Sequence, residues 1–193
     1  PPPPTALENT TNPWNNNDDE EFGATVLWEC KEAVNYFIDE HSHDSYDNAN
    51  GDVKAYVNAI FQRSDGTLYT DNASMAFDGS RMKVGLGSAG TLTNSFAAID
   101  IIAHEFTHAV TGTGPGLQYL NESGALNESF SDIFGEMVEN YAAGPNDWLG
   151  GDDRDDGAAR SFIDPNAFGD PDTYLGTNYY TGASDYGGVH TNS

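Results

Sequence analysis

Two histidines and a glutamate stand at a spacing that suits metal chemistry. His104 and His108 flank Glu105 in an H-E-x-x-H motif. On a helix, a spacing of four residues brings both imidazoles to one face, one turn apart. Two neutral imidazoles in this arrangement bind one Zn²⁺, and Glu105 lies beside the metal, where it can act on a bound water. The motif alone leaves open a chance match within a buried helix.

A second predicted helix, from about Ala125 to Ala143, carries carboxylates at matching intervals. If the two helices pack antiparallel with Glu128 opposite His108, then Asp132 lies one turn along, opposite His104. Glu128 is then a third zinc ligand. Asp132 is an acceptor for a histidine Nδ1–H, the partner that metal-bound histidines usually have. The alternative, that both carboxylates are solvated surface charges, leaves the matched spacing unexplained.

The first half of the chain is predicted to be β-rich, with one early helix, and these elements would position the two later helices. Apolar residues recur at steps of three or four between Ala24 and His41, which predicts a helix with one buried face formed by Val26, Cys30, Ala33 and Phe37. Strands are predicted at 53–61, 67–70 and 81–84, with a hairpin turn at 64–66. Residues 1 to about 22, rich in Pro, Asn and Asp, are expected to form a loose arm.

Cap signals predict where the two later helices begin and end. We expect Thr93, Asn94 or Ser95 to cap the H-E-x-x-H helix, and Gly112 to stop it after Thr111. Ser123 should cap the second helix, which ends at Gly144-Pro145. Residues 146–193 are mostly Gly, Asp, Asn and Tyr, and irregular stretches of that length are typically functional or held by ions.

The charge of the chain excludes several classes of partner. Seven Lys and Arg against 31 Asp and Glu give a net charge of −24. A chain this acidic repels phosphate backbones, so we expect no nucleic-acid binding, and anionic membranes are disfavoured for the same reason. No apolar run approaches the roughly 20 residues of a membrane span. Two interpretations of the acidity remain: a surface suited to salty media, or carboxylates that hold cations.

Three stretches share one resemblance: Gly116–Gly135, Tyr180–Ser193 and, more weakly, Ala24–Tyr46. Together with the H-E-x-x-H motif, they resemble the thermolysin-like neutral metalloproteases. The resemblance implies an α+β fold, with a β-rich N-terminal lobe (1–112) whose H-E-x-x-H helix packs on a second, antiparallel helix at the active-site cleft. Residues 113–193 would begin a C-terminal helical lobe. Family members continue well beyond the position of His190, so most of that lobe is expected to be missing.

The resemblance also implies a secreted zinc endopeptidase and assigns its residues. His104, His108 and Glu128 match the His₂Glu zinc ligands known from thermolysin. The implied roles of the other residues are general base for Glu105, oxyanion donors for Tyr119 and His190, orientation of His190 for Asp185, substrate-carbonyl binding for Arg160, and support of the ligands for Asp132 and Asn127. The alternatives are a packed loop aromatic for Tyr119 and a surface ion pair for Arg160.

Calcium is the second implied ion. The residues that match the family's calcium-binding acids are Asp100, Glu139, Asp147 and Asp152. The helix register described above independently brings Glu136 and Glu139 towards Asp100, and carboxylates without histidine suit Ca²⁺. Because Leu149 replaces another acid of the family, we expect one calcium ion rather than a pair. The alternative is a solvated acidic loop.

The expected partners are peptide or protein substrates. Ile101 indicates an apolar pocket and therefore cleavage before hydrophobic residues, and Ala159, smaller than the family's leucine, would widen it. Asn72-Ala73 resembles the family's substrate-binding edge strand, but Ser74 and Met75 interrupt the pattern, so no role is assigned to it. Two alternatives remain. The chain could be an inactive zinc- and calcium-binding fragment that needs its own missing C-terminal lobe, or a plain acidic interaction module.

Overall fold

The fold comes from a computed structural model that describes residues 18–145 and 147–193. Over these residues it is α+β, with short strands in the first half followed by two long packed helices. The helices are α1 (Asp18–His41), α2 (Ile99–Thr113), α3 (Asn121–Ala143), α4 (Pro165–Phe168) and α5 (Asp185–Gly188), with a 3₁₀ turn at Leu92–Asn94. The strands are β1 (Ala55–Tyr56), β2 (Phe61–Gln62), β3 (Leu68–Tyr69), β4 (Ala73–Met75) and β5 (Met82–Val84).

Helix α1 confirms the predicted apolar stripe. Val26, Cys30, Ala33 and Phe37 are all buried. The helix begins at Asp18, earlier than the predicted Ala24, and the rest of the expected loose arm lies outside the described residues. Its buried face packs on α2, where the rings of Phe37 and Phe106 lie 5.4 Å apart. None of the helices in the described part of the chain combines the length and hydropathy of a membrane span.

The strand predicted at 53–61 is wrong as a single element. Its first part, β1, pairs in parallel with β5, whereas β2 pairs with β3 in a separate antiparallel hairpin. Asn58 lies between them with φ 54°. An extended strand cannot continue through that left-handed conformation, so the segment divides there. The turn predicted at 64–66 is confirmed: the Gly66 amide donates to the Arg63 carbonyl at 2.9 Å.

Strand β4 was not predicted from the residue pattern, although Asn72-Ala73 resembles an edge strand of the family and was left unassigned. Ala73–Met75 pairs antiparallel with β5 in a three-stranded sheet of order β1-β5-β4, which makes β4 an edge strand. Three residues are too short to show the alternation that marks a strand in sequence. The pairing is recognisable only in three dimensions, where Ala73 and Met75 are buried against the core.

The predicted caps of α2 and α3 are wrong, although both helices exist. Helix α2 begins at Ile99 after Ala98, because Leu92–Asn94 forms a separate 3₁₀ turn. It also runs through Gly112 to Thr113. A Cβ on Gly112 would lie 2.2 Å from the Phe77 carbonyl oxygen, so this glycine serves a close contact rather than a stop. Helix α3 begins at Asn121 instead of after Ser123, and ends at Ala143 as predicted.

Helices α2 and α3 pack closely and run antiparallel. Asn127 meets His108, Asp132 meets His104, and Gly135 meets Asp100, so one helix ascends as the other descends. A Cβ on Gly135 would lie 2.7 Å from the Asp100 carbonyl oxygen. The missing side chain therefore lets the two backbones approach, which brings the polar side chains of both helices within contact distance.

Candidate active site

The two imidazoles of α2 and a carboxylate of α3 form one compact group. His104 Nε2 lies 3.4 Å from one oxygen of Glu128, and His108 Nε2 lies 3.3 Å from the other. Around a tetrahedral zinc with bonds of about 2.0–2.1 Å, neighbouring ligand atoms stand about 3.3–3.4 Å apart. Glu128 Oε2 is buried without a hydrogen-bond partner. The spacing, the orphaned oxygen and the His₂Glu donor set all fit Zn²⁺.

The opposite nitrogens of both imidazoles are held by α3. His104 Nδ1 donates to Asp132 Oδ1 at 2.9 Å, and His108 Nδ1 donates to Asn127 Oδ1 at 2.7 Å. These bonds leave each Nε2, the nitrogen that would bind a metal, facing Glu128. Ser131 Oγ lies 3.1 Å from His108 Nδ1, a contact that the sequence analysis missed. Because Ser131 lies one turn after Asn127 on the same face of α3, its position in the sequence could have indicated this contact.

The charges within this group are unevenly distributed. Burial lowers the pKa of His108 to about 4. Burial also opposes the charge on His104, but the hydrogen bond to Asp132 and the adjacent Glu128 carboxylate outweigh it and raise that pKa to about 10. Burial likewise works against the Glu128 anion, yet the adjacent His104 leaves its pKa well below the usual range. Glu128 therefore stays ionised and suited to a cation.

Glu105 is a buried carboxylate on the same helix as both histidines. Burial raises its pKa to about 7, while the nearby His104 charge and a hydrogen bond from the Met75 amide act in the opposite direction. A carboxyl group poised near neutrality can both accept and return a proton. Because Met75 belongs to β4, the edge strand lies directly against this carboxylate.

A second series of hydrogen-bonded side chains comes from the C-terminal part of the sequence. His190 Nε2 lies 2.8 Å from the Tyr119 hydroxyl, and its Nδ1 donates to Asp185 Oδ1 at 2.5 Å. Tyr119 also donates to Glu128. Burial opposes the Asp185 anion, but the hydrogen bonds from His190 outweigh it and lower the pKa. Asp185 and Tyr186 both have positive φ, near 50°, a costly conformation that persists only where surrounding contacts impose it.

Arg160 reaches the same group through Asp132. Its Nη1 donates to Asp132 Oδ2 at 2.7 Å, while the other oxygen of that carboxylate accepts from His104. The guanidinium also contacts Ser193 Oγ at 3.1 Å. With its side chain 22% exposed, Arg160 is a half-buried residue of the site rather than the surface ion pair weighed above.

These groups line one cleft of about 740 Å³. Strand β4 forms one of its walls, and Ile101, Ala159 and Phe162 contribute apolar surface. Phe77, which the sequence analysis missed, also lines the cleft and packs on His108 and Tyr119, with ring centroids 5.7 and 5.2 Å apart. The cleft is therefore apolar on several sides, with its polar groups concentrated around Glu128.

Carboxylates gather at the other end of the α2–α3 pair. Asp100 is buried and accepts hydrogen bonds from the Gly151 and Ile101 amides at 2.5 and 2.7 Å. Burial raises its pKa to about 6. Burial, followed by repulsion from Asp100, raises the pKa of Glu139 to about 8. Glu139 Oε2 is buried without a hydrogen-bond partner.

The predicted loop acids lie nearby. Asp147 is exposed and accepts from the Leu149 amide at 3.0 Å. Burial, followed by repulsion from Asp147 and Asp153, raises the pKa of Asp152. Among the histidine, cysteine, aspartate and glutamate side chains of the described residues, only His104, His108 and Glu128 form a group of three whose ligand atoms lie within 4.8 Å of one another. The acidic end is more open, although its hard oxygen donors and orphaned oxygen suit calcium.

Comparison with known proteins places this geometry in a family. The model of the thermolysin metallopeptidase catalytic domain matches residues 2–112, and that of the thermolysin metallopeptidase alpha-helical domain matches residues 115–193. Bacillolysin of Brevibacillus brevis is 43% identical over 170 residues, which are 85% of this chain and 29% of that protein. Thermolysin of Alicyclobacillus acidocaldarius is 42% identical over 167 residues, 83% of this chain and 28% of that protein.

A solved structure shows the same fold. The precursor of protealysin, a metalloproteinase from Serratia proteamaculans, superposes with a TM-score of 0.75 at 24% identity, over 100% of this chain and 61% of that one. The chain spans less than a third of the length of the bacillolysin and the thermolysin named above. By its two family matches, the chain belongs to the thermolysin metallopeptidase family.

Proposed function

We propose that this protein is a secreted zinc-dependent endopeptidase. The observation that carries the proposal is the paired arrangement of His104, His108 and Glu128, in which both Nε2 atoms face one carboxylate. A closed structural zinc site usually has four protein ligands, whereas three leave a position open. Family membership supports hydrolysis as the chemistry and a location outside the cell. We divide the chain at residues 1–112 and 113–193, either side of this cleft.

Glu105 is proposed as the proton carrier. Zinc held by His104, His108 and Glu128 would polarise a peptide carbonyl and lower the pKa of a water molecule towards about 7. Glu105 would accept the proton of the attacking water and return it to the amine nitrogen as the peptide C–N bond breaks. Its pKa of about 7 suits both steps, because a group near the working pH loses and regains a proton with little cost.

Tyr119 and His190 are proposed to stabilise the negative charge that develops on the carbonyl oxygen. Their polar atoms meet at 2.8 Å beside Glu128, so both can turn towards an oxygen placed between them. Asp185 accepts a hydrogen bond from His190 Nδ1 and so fixes the orientation of the imidazole, with Nε2 towards Tyr119. Donors fixed before the reaction require little rearrangement as the charge develops.

The substrate is proposed to lie along β4 as an added strand. The Asn72 carbonyl and the Ala76 amide are used by the Gly85 amide and the Arg81 carbonyl, so the β5 side of this strand is occupied. Its other edge faces the cleft, where an extended peptide can pair with it. We propose that Ile101 and Ala159 receive a hydrophobic side chain after the cleaved bond. Arg160, held by Asp132, would bind a substrate carbonyl.

Calcium is proposed as the second ion, at the acidic end of the α2–α3 pair. Asp100, Glu139, Asp147 and Asp152 are its proposed ligands. Support comes from the raised pKa values of Asp100 and Glu139 and from the orphaned oxygen of Glu139, since a divalent cation relieves both the repulsion and the lost hydration.

An exposed apolar stripe on α3 favours a second candidate function. Side chains at steps of three or four remain 37–47% exposed along this helix, namely Leu126, Phe130, Ile133, Met137 and Tyr141. A stripe of this kind is normally covered by another element. The alternative is therefore a zinc- and calcium-binding unit that becomes active only with a further C-terminal helical lobe packed on α3.

One experiment separates these candidates. Hydrolysis of casein or a furylacryloyl peptide would be measured with zinc and calcium for wild type, Glu105→Gln and the exposed control Glu122→Gln, with zinc content determined for each. We expect Glu105→Gln to lose activity by at least about 100-fold while keeping its zinc. The control should match wild type.

Two other outcomes are informative. An inactive wild type that binds one zinc per chain favours the alternative, and adding the helical lobe of a relative should then restore hydrolysis. A wild type that binds no zinc, or a Glu105→Gln variant as active as wild type, contradicts the proposed mechanism.

A further inference from the structure

A carboxylate of α1 lies buried at the acidic end, outside the residues assigned so far. Glu29 is 3% exposed, although α1 presents acids at other, solvated positions. Its Oε2 atom is buried and has no hydrogen-bond partner. Burying a carboxylate without a partner is costly, and a hydrophobic side chain would normally fill such a position.

The groups around Glu29 are also acidic. Burial raises the pKa of Glu29 to about 8, and repulsion from Asp100 of α2 and from Asp153 of the following loop adds to the effect. Asp100 and Asp153 also raise the pKa of Glu139 of α3. Within the described part of the chain, no lysine or arginine forms an ion pair with Glu29, Asp100 or Glu139. Three helices thus contribute carboxylates that repel one another, and none of the three is paired with a positive side chain.

The chemistry of these groups identifies the ion that would fit. The neighbouring donors are carboxylate oxygens and the backbone, which suit a hard cation and not zinc. Magnesium requires a small, near-ideal octahedron, whereas calcium accepts six to eight oxygens in flexible arrangements. Carboxylates brought from three separate helices and a loop match the second requirement.

We propose that Glu29 is a calcium ligand that joins α1 to the Asp100–Glu139 end of the α2–α3 pair. The inference rests on the calcium site proposed above and extends it to the first helix. The ion would then hold all three long helices together. Calcium would stabilise the attachment of α1 to the catalytic helices, and the buried Oε2 of Glu29 would gain the partner that it lacks.

The test is calcium titration of the zinc-loaded chain by isothermal titration calorimetry. Glu29→Gln keeps the shape of the side chain but removes its charge, and we expect it to bind calcium at least about tenfold more weakly than wild type. The matched control is Glu21→Gln, an exposed acid on the same helix. It should bind calcium as wild type does. Zinc content should be equal in all three proteins.

Thermal melting provides a readout that a purely structural role would not produce. In zinc-containing buffer without calcium at pH 8, Glu29→Gln should melt at or above the temperature of wild type, because the substitution removes repulsion among the acids. With calcium added, the order should reverse. If the glutamine variant does not fold, Glu29→Met provides the same comparison without charge or amide.

Three results would overturn the inference. The first is equal calcium affinity in Glu29→Gln and wild type. The second is an equal loss of melting temperature with and without calcium, which indicates packing alone. The third is a wild type that binds zinc but no calcium, which also removes the proposed calcium site yet leaves the zinc peptidase proposal intact.

Discussion

The two ends of the α2–α3 pair use the same kinds of side chain in opposite ways. At the histidine end, charged groups meet partners of opposite character: Asp132 lies between His104 and Arg160 at 2.9 and 2.7 Å. At the acidic end, Asp100 lies near enough to both Glu29 and Glu139 to repel them. The first end is assembled by hydrogen bonds within the protein, whereas the second, by our proposal, would depend on a cation from solution.

This difference indicates separate roles for the two ions. A preassembled site positions reacting groups without rearrangement, as catalysis requires. A site of mutually repelling carboxylates contributes most to stability when its ion binds, because the ion favours the folded state in which the acids converge. We therefore expect substitutions at one end to change zinc affinity and hydrolysis, and those at the other to change calcium-dependent stability.

The largest expected effect is removal of a zinc ligand. Glu128→Gln should weaken zinc binding by more than the roughly 100-fold that marks the upper range for groups that merely support a ligand. Zinc content after dialysis against a competing chelator measures this effect, with Glu122→Gln as the exposed control on α3. If Glu128→Gln retains full zinc, the metal binds elsewhere, and the assignment of zinc to the histidine end is contradicted.

Calcium removal should come next in size. At calcium concentrations about 100 times the Kd, binding adds about 2.7 kcal/mol of stability, or roughly 5–10 °C in Tm for a chain of this size. Scanning calorimetry of the zinc-loaded protein with and without calcium measures the shift. Glu139→Gln should reduce the shift but leave zinc content unchanged. Equal melting temperatures in both buffers would show that the acidic end holds no stabilising ion.

A smaller effect is expected for the carboxylate that orients His104. Asp132→Asn keeps the shape but weakens the hydrogen bond to Nδ1 and the pair with Arg160, so zinc affinity should fall by about 10–100-fold. Competition with a colorimetric chelator gives the value, and exposed Asp172→Asn is the matched control. Unchanged zinc affinity in Asp132→Asn would mean that packing alone orients this histidine.

The last expected effect is a pH dependence of the acidic end. The folded-state pKa values of Asp100 and Glu29 are raised to about 6 and about 8, so the folded protein holds these protons more tightly than the unfolded chain. Without calcium, the free energy of unfolding should therefore fall as pH rises from about 4 to about 8. Urea unfolding at several pH values tests this. Calcium should flatten the slope, and a slope unchanged by calcium would contradict the proposed site.

The pairing of candidate ligands within each helix followed from local rules. A four-residue spacing places His104 and His108 together in any α-helix, and the same periodicity aligns Glu128 with Asp132. The buried face of α1 was predicted for the same reason. Helix ends were less predictable: Thr93, Ser95 and Ser123 all have capping chemistry, yet α2 and α3 begin after Ala98 and Leu120. Packing against neighbours outweighs a cap that contributes about 1 kcal/mol.

Contacts between distant parts of the chain could not be obtained in this way. Strand β4 exists because three residues pair with β5, and Gly112 is a contact point because Phe77 approaches it. Neither pairing leaves a periodic signal in the sequence. Glu29 is the clearest case, since its local pattern matches the solvated acids of α1 and only the packed helices bury it.

Helix periodicity was thus sufficient to pair His104 with His108 and Glu128 with Asp132, because each relation spans one turn of rigid backbone, whereas the register between the two helices was an assumption that the family resemblance supported. Only the packed structure decided which strand borders the cleft and that Asn127 and Ser131 meet the same imidazole nitrogen. It also decided which acid of α1 faces Asp100. These relations depend on how separate elements approach one another, and that approach is set by the burial of the whole core rather than by any local segment.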